Sequence, residues 1–504
     1  MITPHEQRED GWRILGEAPD LPRWGESAPE GAKVLATIVH LSDVHLCDAE
    51  SPARLEYLDH LSDPGEPYAD IFTEIGTYRP QEILTAQVAT AMVESVNGVT
   101  TGPVGGAPVD AVLVTGDVID NAQANELDWY ETIFTGGEVS PRSGGAQSSW
   151  VGSPTAGFWS DRFWHPEGPH AGHGPDRLSQ DLGYPELPGL SEAARVSLRS
   201  EGIQHEWLTV HGNHDALLQG TVAPNEHTRR LALGGDRVVG LAPGQMAYVA
   251  LESASQVGPG RYADREDSPT ASVPSDPARR LLAPGEIAGR FVPMAGRGYW
   301  SKDVGELRVI ALDTVNEHGG WQGSIDEPQL DWLRGELAAA DRPVVITSHH
   351  PSWTMINPYT VPGAPRRVLA AELIETLLAE PKVILWLAGH VHRHVVRLHP
   401  SAHGGLLEVV TASLIDWPQQ GRIVEVLDDG EGGIYAAMTV LDHAGRWDDA
   451  GDPTEQLEDP LALAGLSRVL AVNDFRLRPY GQAGLDVAAG RVEFRSATWR
   501  VRRG

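Results

Sequence analysis

Cysteine is almost missing from this 504-residue chain, which contains only Cys47. A single cysteine excludes an intrachain disulfide framework, and it excludes a metal cluster held by cysteines. A metal site in this protein would have to use carboxylate, amide and imidazole side chains, which suit divalent ions such as Mn, Fe, Zn, Ni or Co.

Basic residues are also scarce, because 39 Lys and Arg stand against 70 Asp and Glu and leave a formal net charge of −31. A protein that holds nucleic acid through the phosphate backbone needs a basic surface. We therefore expect no binding of nucleic-acid duplexes. The acidic balance still permits a small phosphate-containing ligand, since bound divalent ions make a site locally positive.

Long apolar runs are lacking too. No stretch of the chain approaches the ~18–20 apolar residues that span a bilayer. Residues 1–20 are polar, and they contain neither the apolar segment nor the twin arginine of an export signal. The pattern predicts a cytoplasmic protein with no membrane span, and it gives no information on the oligomeric state.

Five short polar motifs stand out, and most of them follow apolar runs typical of buried strands. They are Asp43-Val44-His45, Gly116-Asp117-Val118-Ile119-Asp120, Gly212-Asn213-His214-Asp215, His349-His350-Pro351 and Gly389-His390-Val391-His392. Ligands that follow several strands converge on one edge of an α/β sheet. Because residues i and i+2 of a strand point to the same side, we expect Asp43 and His45 to reach one ion together.

In this series of motifs the chain resembles the calcineurin-like metallophosphoesterase superfamily. The family signature reads Asp-x-His, Gly-Asp-x-x-Asp, Gly-Asn-His-Asp/Glu, a histidine in a context such as His-x-Pro, and Gly-His-x-His. The resemblance covers the strands and motifs of residues 33–426, but it does not cover the long segments between the motifs. The length and the inserts look like those of actinobacterial members.

The resemblance implies a site with two divalent metal ions, such as Mn, Fe or Zn. In such sites a bridging water or hydroxide attacks phosphorus in line. Carried over by position, the ligands are Asp43, His45 and His392 for the first ion, Asn213, His349 and His390 for the second, and Asp117 as the bridge.

Two further residues match family positions that take part in the chemistry without holding metal. His214 matches the histidine that contacts the phosphate and protonates the leaving oxygen, and Asp120 matches the acid that orients it. His350 is next to an expected ligand but points to the other side of its strand. We therefore expect His350 in the pocket wall or behind the ligands, and not on a metal ion.

Two departures from the motifs of known branches of the superfamily narrow the expected activity. Asn121-Ala122 replaces the Arg and Gly of protein Ser/Thr phosphatases, and Asp120 stands where purple acid phosphatases have a tyrosine ligand. The segment 41–46 and the continuation to Glu126 look more like cyclic-nucleotide and glycerophosphodiester phosphodiesterases. The resemblance implies hydrolysis of a small phosphodiester substrate by a metal-bound hydroxide. The alternatives are a phosphomonoesterase or nucleotide phosphatase, and a metal-binding scaffold without turnover.

The order of predicted elements indicates an α/β fold. Strands alternate with helices up to about residue 390 and then follow one another, which predicts two packed sheets with helices outside. The family's four-layer αββα sandwich of two mixed sheets fits this order. We expect an N-terminal arm over 1–32, a catalytic domain over 33–445, and a C-terminal extension over 446–504 that packs on the core.

Helical spacing of apolar residues predicts helices over 80–96, 126–134, 326–339, 368–378 and 461–472. A hairpin is expected around residues 304–306, and the alternation over 491–501 predicts an edge strand. In the N-terminal arm, Trp12 and Trp24 are possible anchors on the protein surface.

Long inserts are expected over about 46–108, 121–205 and 216–297. The insert 121–205 is rich in Gly, Pro, Ser and aromatic residues, which leaves two interpretations. It is either a decoration with a small core of its own or a cap that shapes the substrate pocket. In the second interpretation, Trp159 and Trp164 lie at or near the pocket mouth.

Overall fold

The computed structural model describes the chain except residues 18–22, 64–65, 67–68, 70–77, 146–149, 154–158, 243, 247–248, 250–267, 284, 292–297, 403 and 503–504. Part of each expected insert therefore lies outside the described residues. No helix among the described residues is both long enough and apolar enough to cross a bilayer.

The strands of the described residues are, in chain order, β1 (Ile2–Gln7), β2 (Arg13–Glu17), β3 (Trp24–Gly25), β4 (Lys33–Leu41), β5 (Ala111–Val114), β6 (Gly137–Val139), β7 (Leu198–Ser200), β8 (Trp207–Thr209), β9 (Gly235–Val238), β10 (Thr270–Val273), β11 (Trp300–Val304), β12 (Leu307–Leu312), β13 (Ile325–Asp326), β14 (Val344–Ser348), β15 (Arg367–Val368), β16 (Val383–Ala388), β17 (Val395–Ser401), β18 (Gly404–Val410), β19 (Gln420–Asp428), β20 (Ile434–Asp442) and β21 (Ala497–Arg502).

The helices are α1 (Glu56–Asp59), α2 (Thr85–Gly98), α3 (Ala124–Thr135), α4 (Arg177–Leu182), α5 (Leu190–Ala193), α6 (Asn213–Ala216), α7 (Glu226–Leu233), α8 (Glu286–Phe291), α9 (Glu327–Ala339), α10 (Ala370–Leu378), α11 (Pro453–Gln456), α12 (Pro460–Val472), α13 (Gly481–Ala489) and α14 (Val492–Arg495). Short 3-10 turns cover His60–Ser62, Pro80–Leu84, Pro277–Arg279, Ser352–Thr354 and Arg478–Tyr480.

Two large sheets form the centre of the molecule. The first has the strand order β3-β21-β20-β19-β4-β5-β8, and the second has the order β11-β12-β14-β16-β18-β17. Strands β4, β5 and β8 run parallel in the first sheet, and β12, β14, β16 and β18 run parallel in the second. Both sheets also contain antiparallel pairs, such as β19 with β4 and β17 with β18, so both are mixed.

The two sheets pack face to face over a shared apolar core. Ile38 and Leu113 of the first sheet lie in one buried cluster with Val345 and Leu385 of the second. Alternate residues point the other way, as the pleat requires. The strands are therefore buried on both faces, which explains their nearly continuous apolar runs.

Helices cover the two outer faces. On the first sheet, α2 and α3 contribute residues such as Met92 and Leu127 to a cluster with Val112. On the second sheet, α9 and α10 contribute Leu333 and Leu373 to a separate cluster. The layer order is helix, sheet, sheet, helix, which confirms the predicted αββα architecture.

Both ends of the chain take part in the first sheet. Strand β21 pairs antiparallel with β20 and parallel with β3. The hairpin of β1 and β2 brings Trp12, which is 2% exposed, against α12, whereas Trp24 remains 46% exposed. Of the two tryptophans considered as anchors, only Trp12 is buried.

The predicted helices are present with small shifts, and the expected hairpin is formed by β11 and β12. The predicted edge strand over 491–501 is partly wrong. Residues Val492–Arg495 form α14, and the strand begins only at Ala497. The alternation of side chains did not distinguish one helical turn from the start of a strand.

Two glycines of the scaffold generate a stability prediction. Gly335 lies inside α9, and a Cβ atom there would meet nothing within 4 Å. Gly335→Ala should raise the free energy of unfolding by ~0.5–1 kcal/mol, because alanine restricts the unfolded chain and favours a helix. Gly421→Ala should lower it, because the new Cβ would lie 2.6 Å from Leu41 Cδ2. Urea unfolding of both variants measures the two changes in the free energy of unfolding. Equal changes would contradict the packing described for these two glycines.

Candidate metal centre

The five polar motifs lie at the carboxyl edge of the parallel strands. Strands β4, β5 and β8 end just before Asp43, Asp117 and Asn213. Strands β14 and β16, in the other sheet, end just before His349 and His390. Because the two sheets face each other, their edges bring residues from both sheets into one place.

The backbone at this edge is unusual. Five of the expected ligands have positive φ, with 51° at Asp43, 47° at His45, 50° at Asp117, 70° at His390 and 55° at His392. Residues other than glycine rarely adopt this left-handed conformation, and where they do the surrounding structure holds them in it. Hydrogen bonds from Asp43 N to Gly116 O (3.0 Å) and from His45 N to Asp117 O (2.9 Å) tie two of these loops together.

The strand-based reason for pairing Asp43 with His45 is therefore wrong. Strand β4 ends at Leu41, before Asp43 and His45. Strand β16 ends at Ala388, so His390 and His392 do not belong to a strand either. The left-handed turns nevertheless bring Asp43 and His45 together, and they send His390 and His392 to different clusters.

The first cluster contains Asp43, His45 and His392. His45 Nε2 lies 3.2 Å from His392 Nε2 and 3.9 Å from Asp43 Oδ1. His392 Nε2 lies 3.3 Å from the same Asp43 oxygen. Three donor atoms from two sheets thus surround one point.

The second cluster contains Asn213, His349 and His390. His349 Nε2 lies 2.9 Å from Asn213 Oδ1 and 3.1 Å from His390 Nδ1. His349 Nδ1 donates to the carbonyl of Thr115 at 2.8 Å, which leaves Nε2 as the nitrogen that faces the cluster.

Asp117 lies between the two clusters. Its Oδ2 atom is 3.1 Å from His349 Nε2 and 3.7 Å from His45 Nε2. The Asp117 side chain is only 2% exposed, so its charge acts mainly on these neighbours.

The donor atoms fit divalent metal ions. Ligands bound at about 2.1 Å to one ion lie about 3–3.4 Å from each other, and most of the distances above are near this range. The donors are carboxylate, amide and imidazole atoms, and the Sγ atom of Cys47 instead accepts from Arg54 Nη1 at 2.7 Å. Groups of His and Asp able to hold ions are therefore present in the described residues.

The pKa values show how strongly the site concentrates charge. Burial opposes ionisation of Asp117, but His349 and His214 hold the pKa of its carboxyl well below the usual range. Burial also opposes a charge on His392, yet Asp43 and Asp416 raise the pKa of this imidazole to about 10. In the same way, Asp117 raises the pKa of His349 to about 9. Metal binding must displace these protons, so affinity should fall as the pH decreases.

His214 and Asp120 are also close together. His214 Nδ1 lies 3.2 Å from Asp120 Oδ1 and 3.0 Å from the Asp120 carbonyl oxygen. The same Oδ1 atom lies 3.0 Å from His45 Nδ1, so Asp120 orients an expected ligand as well as His214. Burial lowers the tendency of His214 to hold a proton, but Asp117 and Asp120 raise its pKa above the ordinary value.

His350 lies beside the second cluster but has other partners. Its Nδ1 atom is 2.7 Å from Thr314 Oγ1, and its Nε2 atom is 2.9 Å from the carbonyl of Trp321. Both ring nitrogens are thus used by the protein. Burial, together with His349, lowers the pKa of His350 to about 3, so it supports the site as a neutral side chain.

Several supporting residues were missed in the sequence. Asp416 Oδ2 lies 2.6 Å from His392 Nδ1, and Asp215 accepts hydrogen bonds from the backbone N–H groups of Asp117, Val118 and Ile119. Arg54 donates to Asp120 at 2.6 Å. Asp215 is the last residue of its motif, and Asp416 follows β18 at the same sheet edge. The position of each residue after a strand was therefore a signal from which both could have been predicted as part of the site.

A cavity of about 810 Å³ opens over these residues. Asp117, Asn213, His214, His390 and His392 form its floor. A wall of the cavity comes from the C-terminal extension, and its lining residues are Ala471, Asp474, Arg476, Leu477, Tyr480, Ala483, Gly484, Val487 and Ala488.

The expectation that Trp159 and Trp164 lie at the pocket mouth is wrong. Neither residue lines the cavity, and no described residue of the insert 121–205 does so. Trp164 is 1% exposed and donates through Nε1 to the carbonyl of Pro185 at 3.1 Å. It packs with Trp12 and Tyr184 in a cluster that also includes residues of α12, so the described residues of this insert contribute to a core and not to the lining of the cavity.

Comparison with known proteins gives a family match over part of the chain. Residues 190–394 match the model of the calcineurin-like phosphoesterases. The matched segment contains Asn213, His214, His349, His390 and His392, whereas Asp43, Asp117 and their neighbours precede it. The matched segment is about two fifths of the chain, and it confirms the resemblance to this family that is seen in the motifs. No curated protein matches the chain.

Solved structures give distant likenesses. A dimetal phosphatase from Danio rerio is 13% identical with a TM-score of 0.35, covering 82% of this chain and 97% of its own. The sulfate thiohydrolase SoxB from Thermus thermophilus is 15% identical with a TM-score of 0.28, and the match covers 88% of this chain and 61% of the SoxB chain. The calcineurin-like phosphoesterase YfkN from Bacillus subtilis is 11% identical with a TM-score of 0.26, and the match covers 86% of this chain and 98% of the YfkN chain.

Removal of the central charge should empty the site. Asp117→Asn should cost most of the affinity for metal, because the Asp117 carboxylate lies 3.1 Å from His349 and 3.7 Å from His45 and would no longer offset the charge of a bound cation. Elemental analysis after metal loading measures the content. Asp128→Asn, at a side chain that is 60% exposed, is the matched control and should bind as wild type. Full metal content in Asp117→Asn would contradict the bridging position.

Proposed function

We propose that this protein hydrolyses phosphate esters, and phosphodiesters in particular, with two divalent metal ions held around Asp117. The observation that carries the proposal is the position of the Asp117 carboxylate. It faces His349 at 3.1 Å in one donor cluster and His45 at 3.7 Å in the other, at the floor of an open cavity. The match of residues 190–394 to the calcineurin-like phosphoesterases supports the same reaction class.

Asp43, His45 and His392 would hold one ion, Asn213, His349 and His390 would hold the other, and Asp117 would contact both. When bound, two such ions neutralise charge on the phosphate and lower the pKa of water to generate a nucleophile. The protein's own donors fix the position at which this happens. Their orientation depends on Asp120, Asp416 and the Thr115 carbonyl, which hold the second nitrogen of three imidazoles.

His214 would act as the general acid. Asp120 occupies its Nδ1 side, so Nε2 is the atom that can give a proton to a leaving oxygen. Although burial opposes the charge, Asp117 and Asp120 raise the pKa of His214 above its ordinary value, which favours the protonated form that this role requires. The residue lines the cavity, where its side chain is 14% exposed.

The charges of the cavity favour a diester over a monoester. Arg79 and Arg476 line the cavity, but each is paired with a carboxylate at 2.6 Å, Asp416 in one case and Asp59 in the other. Asp474 adds a further acid to the wall. Arg393 is a third arginine of the lining, and Asp117 and Asp416 are further carboxylates in it, so three arginines stand against three carboxylates. The protein therefore adds little net positive charge to that of the ions. A singly charged diester suits this balance better than a doubly charged monoester.

The substrate class is tested with two aryl esters. We expect kcat/KM for bis(p-nitrophenyl) phosphate to exceed that for p-nitrophenyl phosphate when Mn²⁺ is supplied, because the diester has a single charge and a second substituent. Chelated enzyme and Asp117→Asn serve as controls. The reverse ratio would favour the phosphomonoesterase alternative. No turnover of either ester by metal-loaded protein would favour a metal-binding scaffold.

The role of His214 is tested separately from metal binding. His214→Ala should keep its metal content but lose ~10²–10⁴-fold in rate, the range expected when a general acid is removed. The loss should be smaller for p-nitrophenolate than for an alkoxide leaving group, since the former leaves without a proton. His227→Ala, outside the cavity, is the control. An equal loss for both leaving groups would assign His214 to positioning.

A further inference from the structure

One face of a helix forms part of the cavity wall. Tyr480, Ala483, Gly484, Val487 and Ala488 all line the cavity, and they are spaced at i, i+3, i+4, i+7 and i+8 at and along α13. This spacing places them on a single helix face. The face is built of small and apolar side chains, with the tyrosine hydroxyl as the one polar side-chain group.

The opposite face of the same helix is already used by the fold. Leu485 is 1% exposed and Ala489 is 0% exposed, and both pack with Val472 and Trp417. The cavity face is different, because Val487 is 61% exposed and Tyr480 is 64% exposed. A helix that is apolar on two sides usually has both sides covered. Here the second side faces the cavity.

The apolar face and the expected metal ligands line the same cavity. Leu477 and Ala471 also line it, as does Trp321, whose ring stacks on His390 with centroids 5.8 Å apart. A molecule with its phosphate at Asp117 would therefore place its substituent against α13. The cavity of about 810 Å³ is within the range of small-molecule sites.

We propose that α13 binds an alkyl substituent of the phosphodiester substrate. This inference rests on the proposed function and specifies its substrate class. On the α13 face the Tyr480 hydroxyl is the one polar side-chain group, and the small apolar side chains beside it leave room for a hydrocarbon chain. The negative phosphate would be drawn to the metal centre, and the chain would remove the exposed apolar face from water.

The test uses methyl, butyl and octyl p-nitrophenyl phosphate at concentrations below micelle formation. The leaving group is identical in the three diesters, so only the alkyl group reports on the wall. We expect kcat/KM to rise up to about fourfold for each methylene that is buried, and the octyl ester to exceed the methyl ester by about 100-fold. In Val487→Asp the octyl-to-methyl ratio should fall by at least about tenfold.

Val196→Asp is the matched control, because Val196 is 63% exposed and does not line the cavity. It should keep the wild-type ratio. Equal kcat/KM values across the alkyl series, or an unchanged ratio in Val487→Asp, would overturn the inference while leaving phosphodiester hydrolysis intact. Faster turnover of thymidine p-nitrophenyl phosphate than of the octyl ester would also overturn it.

A binding measurement separates this inference from the proposed function. Calorimetric titration of metal-loaded protein with methylphosphonate and octylphosphonate needs no turnover. Tighter binding of octylphosphonate than of methylphosphonate, lost in Val487→Asp, supports the alkyl site even if no ester is hydrolysed. The absence of hydrolysis would contradict only the proposed catalytic function. Equal affinities for the two phosphonates would end the alkyl site.

Discussion

The buried carboxylate of Asp117 is the charge around which the edge of both sheets is arranged. An ionised carboxylate in an apolar interior is unfavourable unless hydrogen bonds and opposite charges compensate it. The His214 backbone N–H donates to Asp117 Oδ1 at 2.8 Å, and His349 approaches Oδ2 at 3.1 Å. The raised pKa of His349 shows that the surroundings favour a cation at this point. Protons meet that requirement in the free protein, and metal ions would meet it in the loaded one.

A second group of buried charges fixes the ligands from behind. The Arg54 side chain is 0% exposed and pairs with Asp120 at 2.6 Å, with Glu82 at 2.8 Å and with Glu56 at 2.5 Å. Loss of one partner would leave an uncompensated charge in the interior, so the group holds together as a unit. Because Asp120 contacts both His45 and His214, the segment that carries Arg54 positions a metal ligand and the proposed acid at once. Through Arg54, the described part of the insert over 46–108 thus supports the candidate metal centre.

The sequence predicted those parts of the molecule that depend on local patterns. Apolar runs followed by polar motifs identified strands such as β4 and β16, and the order of elements indicated the αββα layers. The left-handed backbone at Asp43 and His392 had no such pattern, because Asp and His adopt positive φ only when tertiary contacts impose it. Partners distant in sequence, such as Asp416 with His392, depend on how loops meet at the sheet edge.

The aromatic residues of the insert 121–205 show a related limit of prediction from sequence. Tryptophan content indicated order, but it could not show which surface the rings cover. Trp164 became part of a core with α12 and the N-terminal hairpin. The helix of residues 461–472 was predicted from its spacing, whereas the pocket wall that follows it was not. Small residues such as Ala483 and Gly484 carry no signal of their own until a cavity lies beside them.

The wall formed by α13 is part of the fold and not a separate lid. It is joined to α12 on one side and, through α14, to β21 on the other. Strand β21 pairs with β20, β20 pairs with β19, and β19 pairs with β4, whose end leads to Asp43 and His45. The register of one sheet therefore sets the distance between the apolar wall and the metal ligands. A wall held in this way needs little ordering when a substrate binds, so the apolar contact can contribute to affinity with a small entropic cost.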